Sequence, residues 1–359
     1  MPDLTRPEQV ASAFRLSPQQ SFLFGLGARR PPLSQCAVLG EASDSSGALQ
    51  RLVASHEILR TSFVTSPGAR APVGQVVHDA INVHLGAETR EDDALLLEVQ
   101  ALEERLAREA SAQFALDGGP PIRVTSIELP GKRSLIIVTA LAACADPRSL
   151  VAIARQLATP IAIGQKAKPI QHADYAEWRA ELIAGDNPEA LRGRAMWRDA
   201  FESIDSPRRV LFASGHRAGG LTAAAERVRV PIALDAEGVA GLTAAAGETR
   251  ASIELFVQAA WHALLSRLSG SVDVLVAELA DGRSQPDLEY AIGPYEQPVP
   301  IRVRIERQTR FAEVLDQVRR ARAEAIRRQD YGTDRDLRHL TELAVAGFAS
   351  RATAPSPAS

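Results

Sequence analysis

A thiol, a carboxylate and a guanidinium close one stretch of this chain. Residues 139–150 read TALAACADPRSL, with Cys144, Asp146 and Arg148 at the end of a run of strand and core type that extends from Leu135 to Ala145. A cysteine so placed can carry an acyl group as a thioester, provided its pKa is depressed and a base stands nearby. No histidine neighbours Cys144 in sequence, and free cysteine is among the most buried residue types, so packing is the first reading of this thiol. His56, in the segment His56-Glu57-Ile58-Leu59-Arg60-Thr61, could act as an acid or base only if the fold carried it to that stretch. At the end of a helical segment it reads equally well as a capping or contact residue. His172 and His262 fall in helical or linker segments and read as structural, and Tyr175 and Trp178 read as packing residues.

The elements around these residues follow from periodicity. Between Ala94 and Ala110 the residues Leu95, Val99, Leu102 and Leu106 fall at helical spacing, with Glu98, Glu103, Glu104, Arg105 and Arg108 on the other face. After Gly118-Gly119-Pro120-Pro121, Ile122 to Glu128 alternates as a strand, and Pro130-Gly131-Lys132 turns it into the run Ser134 to Ala143, a hairpin feeding a central sheet. Pro160 to Pro169 has little periodicity and several breakers, which places a link there. Ser252 to Leu268 reads as a helix with Ile253, Phe256, Ala260, Leu264 and Leu268 spaced for burial. Val272 to Ala277 is a β-branched strand, and Val299, Ile301, Val303 and Ile305 alternate. Phe311 to Arg328 is an amphipathic helix with Val314, Leu315 and Val318 inward. Helices and strands mix in both halves, as in an α/β fold. The tail from Ala349 is too poor in large apolar residues to fold.

Composition bounds the function. A chain of 359 residues exceeds one ordinary domain, at roughly 150 residues per domain, and suggests two. A net charge of −3 provides no basic excess for a phosphate backbone, so nucleic acid is not an expected partner. The longest apolar run, eleven residues from Leu135 to Ala145, falls short of the ~20 of a membrane span, and the first residues carry no apolar leader segment. A soluble, cytoplasmic protein without a membrane partner is the expectation. Cys36 and Cys144 have no metal-ligand spacing and no disulfide framework, so no metal is expected. The chain lacks a Walker-type loop, a dinucleotide glycine motif, HExxH, GxSxG and CxxC.

Seven segments, in order, resemble the condensation domains of nonribosomal peptide synthetases. Leu16-Ser17-Pro18-Gln19-Gln20 is similar to the LSPxQ opening, residues 56–63 (HEILRTSF) to HExLRTxF, and residues 114–123 (FALDGGPPIR) to FxLxxGPLxR. Residues 171–178 (QHADYAEW) resemble QYADYAxW. Asp281-Gly282-Arg283 with Glu289, then Ile292-Gly293-Pro294-Tyr295 through Pro300-Ile301-Arg302, and Gln329-Asp330-Tyr331 follow the remaining segments.

The resemblance implies two chloramphenicol-acetyltransferase-like α/β sandwich lobes in a V-shaped pseudo-dimer. On this sequence it gives an N-terminal lobe over residues 1–165, a C-terminal lobe over 166–348 that is shortened and incomplete, and a disordered tail over 349–359. It further implies a tunnel between the lobes, with Ala142, Tyr175 and Tyr295 on its wall. Carrier proteins or a synthetase module are the implied partners, visiting with a 4'-phosphopantetheine arm, and no resident cofactor is implied. The family's HHxxxDG centre uses its second histidine on the acceptor amine. Here Leu141 and Ala142 stand at the two histidine positions, Asp146 at the aspartate, and Pro147 at the glycine. Arg328 and Gly332-Thr333-Asp334 depart from the family's HQDxPFE segment. The aspartate of the motif is expected to form a structural ion pair with Arg283. Two readings follow: a catalytically impaired module that binds a carrier protein or acyl-pantetheine, or an active acyltransferase that uses Cys144 or His56 instead.

Overall fold

The computed structural model describes residues 10–26, 32–41, 45–66, 68–69, 71–158, 169–202, 204, 233–344 and 346–350. The link expected over Pro160 to Pro169 lies outside them except for Pro169, and the tail expected from Ala349 lies outside them except for Ala349 and Ser350. The chain forms two compact units: residues 1–185 with 281–296 and 333–335, and residues 186–280 with 297–332 and 336–359.

The first unit opens with β1 (Val10–Phe14), α1 (Pro18–Leu26), β2 (Leu33–Glu41) and α2 (Ser45–Ser55). A single 3-10 turn at Glu57–Arg60 leads into β3 (Thr61–Val64), β4 (Gly74–His78) and β5 (Leu85–Thr89). Next come α3 (Ala94–Leu97), α4 (Val99–Ser111), β6 (Ile122–Leu129), β7 (Arg133–Leu141), α5 (Pro147–Ala158) and α6 (His172–Ala184). The main sheet has the order β2-β7-β6-β5, with β2 and β6 antiparallel to β7 and β5 parallel to β6; β1, β4 and β3 form a second, three-stranded sheet.

β7 is a central strand covered on both faces. Ile136, Val138 and Ala140 join one core with Ile122, Val124, Leu150 and Ile153, whereas Leu135 and Ile137 join another with Leu95, Ile127 and Leu129. That double burial is why its sequence is a continuous apolar run instead of an alternation. The helix expected over Ala94 to Ala110 is interrupted at Glu98, whose backbone is extended (φ −115°, ψ 107°). The break shifts the helical phase, so Val99, expected inward, is 74% exposed, while Leu102 and Leu106 pack on the core.

The second unit contains α7 (Pro188–Phe201), α8 (Ala236–Glu248), α9 (Ile253–Ser269), β8 (Asp273–Ala280), β9 (Gln297–Arg304), α10 (Phe311–Arg327), most of α11 (Asp334–Leu343), and β10 (Ala346–Phe348). Its sheet has the order β10-β8-β9, parallel and then antiparallel. Caps explain the helix starts. The Asn187 side chain accepts from the Glu189 and Ala190 amides ahead of Pro188, and Ser252 Oγ accepts from the Leu255 amide at 3.2 Å. Val299, Ile301 and Val303 are buried, as are Val314, Leu315 and Val318. Arg328 is buried; it donates to Glu189 at 2.5 Å and to Glu324, and its carbonyl accepts from Trp197 Nε1 at 3.1 Å.

Two expectations differ from the structure. The division lies after Gly185 instead of at 165, and residues 281–296 belong to the first unit. The physical reason is anchoring: the Gln171 side chain ahead of α6 accepts from the Glu57 amide at 2.8 Å and donates to the Ser55 carbonyl at 3.1 Å. The second difference is the phase of α9, which buries Leu255, Gln258, Ala259, His262, Leu265 and Ser266. Ile253, Ala260, Leu264 and Leu268, expected inside, are exposed.

Candidate functional site

At the end of β7 the chain turns sharply. The Cys144 and Ala145 amides both donate back to the Leu141 carbonyl, at 2.8 and 3.2 Å, and Gln20 Nε2 donates to the Ala143 carbonyl at 3.1 Å. Leu141 is in the core at 1% exposure, and Ala142 is half-buried. Asp146 then caps α5: its Oδ1 accepts from the Ser149 amide at 2.8 Å and its carbonyl from the Leu150 amide at 3.0 Å. Pro147 occupies the first helical position, where a missing N–H costs nothing because that donor has no intrahelical acceptor.

The Asp146 carboxylate is the centre of the site. Arg283 Nη1 lies 2.9 Å from its Oδ2 and Arg283 Nη2 3.1 Å from its Oδ1; the Tyr295 and Glu296 amides donate to Oδ2 at 3.0 and 3.2 Å. Arg283 also donates to Asp281 Oδ1 (2.9 Å), Ser149 Oγ (2.9 Å) and the Ala291 carbonyl (3.1 Å), and its guanidinium lies 4.7 Å from the centroid of the Tyr295 ring. The pair's side chains are 2% and 4% exposed. Burial alone would lower the Arg283 pKa, but the charges of Asp146 and Asp281 and their hydrogen bonds outweigh it, and the net shift is upward. Ser149 Oγ completes the cluster by donating to the Gly293 carbonyl and accepting from the Gly293 amide, both at 3.0 Å. Outside it, Arg148 reaches Asp281 at 2.5 Å and the Glu289 carbonyl at 3.1 Å. These bonds hold residues 281–296 on the first unit.

Tyr175 and Tyr295, expected on a tunnel wall, lie in an aromatic cluster instead, 2% and 0% exposed, with ring centroids 4.9 Å apart. The Tyr175 hydroxyl accepts from Gln19 Nε2 at 3.0 Å and from Arg179 Nη1 at 2.8 Å, which turns it inward. Burial pushes the Tyr295 phenol up. His172 packs against both rings, its Nε2 3.3 Å from Ser17 Oγ, and burial holds its pKa down to about 3. It is a neutral, enclosed imidazole at ordinary pH.

Both alternative catalytic candidates are enclosed. Cys144 is fully buried, and burial alone drives its pKa well up, with no cation or imidazole to pull it back. His56 is 2% exposed and burial lowers its pKa to about 4. Neither has the environment of an activated nucleophile or an ordinary acid-base group. A thiol titration with Ellman's reagent is expected to label only the half-buried Cys36 in the native protein, with Cys144 reacting after denaturation; fast labelling of Cys144 in the folded state would overturn its assignment as a packing residue. The hydrogen-bonding roles of Ser149, Asp281 and Gly293 were not visible in the sequence. The one available signal was the Gly282 and Gly293 positions flanking Arg283 and Tyr295.

Comparison with known proteins bears on the family of the chain. Residues 44–344 match the family model of the condensation domain. Over 295 residues, 79% of this chain, the sequence is 30% identical to surfactin synthase subunit 2 of Bacillus subtilis, of which it spans 7%. Among solved structures, the X-domain from teicoplanin biosynthesis superposes with a TM-score of 0.71 at 27% identity, covering 96% of this chain and 78% of that one. The complex of that X-domain with OxyB matches at 0.69 and 27% identity, over 94% and 75% of the two chains. No helix among the described residues is long and apolar enough to cross a membrane. With the family model covering most of its length and a relative 30% identical over 79% of it, the chain belongs to the condensation domain family of nonribosomal peptide synthetases.

Proposed function

We propose that this protein is a catalytically silent condensation-domain module that binds a carrier protein, or the acyl-pantetheine it bears, without forming the bond. The observation that carries this reading is the pairing of an intact Asp146–Arg283 scaffold with Leu141 and Ala142 at the two motif histidine positions. Neither side chain can accept or donate a proton, and a positioned acid-base group contributes about 10²–10⁴ in rate. The buried, unactivated Cys144 supports no substitute mechanism. A second reading, docking of a partner enzyme, has one observation in its favour: a relative of 27% identity is described in a complex with OxyB.

The test is a condensation assay with an acyl-loaded carrier protein and an amine acceptor, run beside a binding titration of the same carrier. The wild type is expected to bind and to give product only at background. Ala142→His, at the half-buried position, is expected to raise product formation by about 10²-fold or more. Leu141→His is the poorer probe, because it would place an imidazole in the core. Wild-type turnover would overturn the silent assignment, and failure to bind any acyl-loaded carrier would overturn the binding role.

A further inference from the structure

The helix α9 presents an apolar face outward. Ile253 and Val257 are each 38% exposed, Leu264 45% and Leu268 44%. Glu254, Ala260 and Arg267 are also exposed, and Trp261 is half-buried. At 3.6 residues per turn these eight residues fall on one arc of about 140°. The rest of the helix is occupied within the second unit by Leu255, Gln258, Ala259, His262, Leu265 and Ser266, with Phe256 against Phe311 at 5.0 Å between ring centroids. Single exposed apolar residues are ordinary; a contiguous stripe along a helix marks an interaction surface.

The order of residues on this face identifies what fits it. About the midpoint between Ala260 and Trp261 the apolar positions mirror one another, Ile253 with Leu268 and Val257 with Leu264, while acidic Glu254 mirrors basic Arg267. Antiparallel packing about a two-fold axis would bring each such pair together twice, apolar against apolar and acid against base. We propose that the outward face of α9 is a self-complementary interface on which a second copy of this chain packs with its own α9 antiparallel. In that alignment the acidic end of each helix lies level with the basic end of the other, and the helix dipoles oppose. Parallel pairing would set Glu254 level with Glu254 and Arg267 with Arg267. The stripe runs about 24 Å, one helix in length, so the contact is small and a weak, concentration-dependent dimer is the expectation.

Sedimentation velocity across the micromolar range tests this on the full chain. The wild type is expected to show concentration-dependent dimers. Leu264→Glu is expected to weaken them at least about tenfold with an unchanged circular dichroism spectrum, because the residue is exposed. Arg267→Glu alone should weaken association, and Glu254→Arg with Arg267→Glu should restore it. Under oxidation, Ala260→Cys should give a covalent dimer, since position 260 lies beside the two-fold axis, whereas Leu268→Cys should not. A monomer at every concentration, a dimer indifferent to Leu264→Glu, or cross-linking through Leu268→Cys would each overturn the proposal.

Discussion

Replacing Asp146 by Ala is expected to cost the first unit about 3–5 kcal/mol, the range for removing one member of a buried ion pair. The magnitude follows from what the carboxylate holds. Five donors converge on it: both terminal nitrogens of Arg283 and the amides of Ser149, Tyr295 and Glu296. Without it, the Arg283 guanidinium remains in a site where its side chain is 2% exposed, with Asp281 as its remaining carboxylate partner. The N-cap of α5 is lost as well, which by itself costs about 1 kcal/mol. Asp146→Asn should rescue little, because its amide nitrogen brings a donor into a site already crowded with donors. Urea denaturation followed by circular dichroism gives the measurement, with Arg15→Ala as control. Arg15 pairs with Glu177 at 2.8 Å, but the two side chains are 61% and 36% exposed, and an exposed pair contributes about 0–1 kcal/mol. A loss at Asp146 no larger than at Arg15 would mean that residues 281–296 hold their place without this carboxylate.

Much of the fold was legible where one physical signal dominated. The hairpin of β6 and β7 was readable because alternation, a Pro-Gly turn and a doubly buried apolar run follow one another, and α10 because its apolar stripe is narrow. The phase of α9 was not, because Ile253, Leu255, Phe256, Val257, Leu264, Leu265 and Leu268 surround most of the helix. Periodicity can find such a helix without choosing the face it buries. The break at Glu98 has no proline or glycine to mark it. Asp146 and Arg283 could be paired from family resemblance, yet no local pattern shows that the segment carrying Arg283 folds onto the first unit. Its anchor lies 137 residues earlier in the chain. The inward turn of Tyr175 was equally hidden, since it depends on Gln19, 156 residues earlier.

Gly282→Ala is expected to be the most damaging glycine-to-alanine change among the described residues, with a loss of at least about 3 kcal/mol. Two effects act together. Gly282 has φ +75°, a left-handed conformation that costs a residue with a Cβ about 1–2 kcal/mol. A Cβ there would also lie 1.8 Å from the Tyr295 carbonyl oxygen and 2.4 Å from its carbon. Those are backbone atoms, so no rotamer change relieves the overlap; either Tyr295 or Gly282 must move. The Tyr295 amide is bonded to Asp146 and Gly282 precedes Arg283, so either movement strains the ion pair. Gly131→Ala separates the two effects within the same unit. Gly131 has nearly the same φ, +77°, but a Cβ there would meet only the side-chain Arg133 Nε at 3.7 Å. It should therefore show the conformational cost alone, about 1–2 kcal/mol. The excess loss in Gly282→Ala over Gly131→Ala, read from denaturation midpoints, measures how firmly Asp146 and Arg283 fix the backbone at Tyr295; equal losses would mean that this backbone yields and that the cluster is softer than its bonding implies.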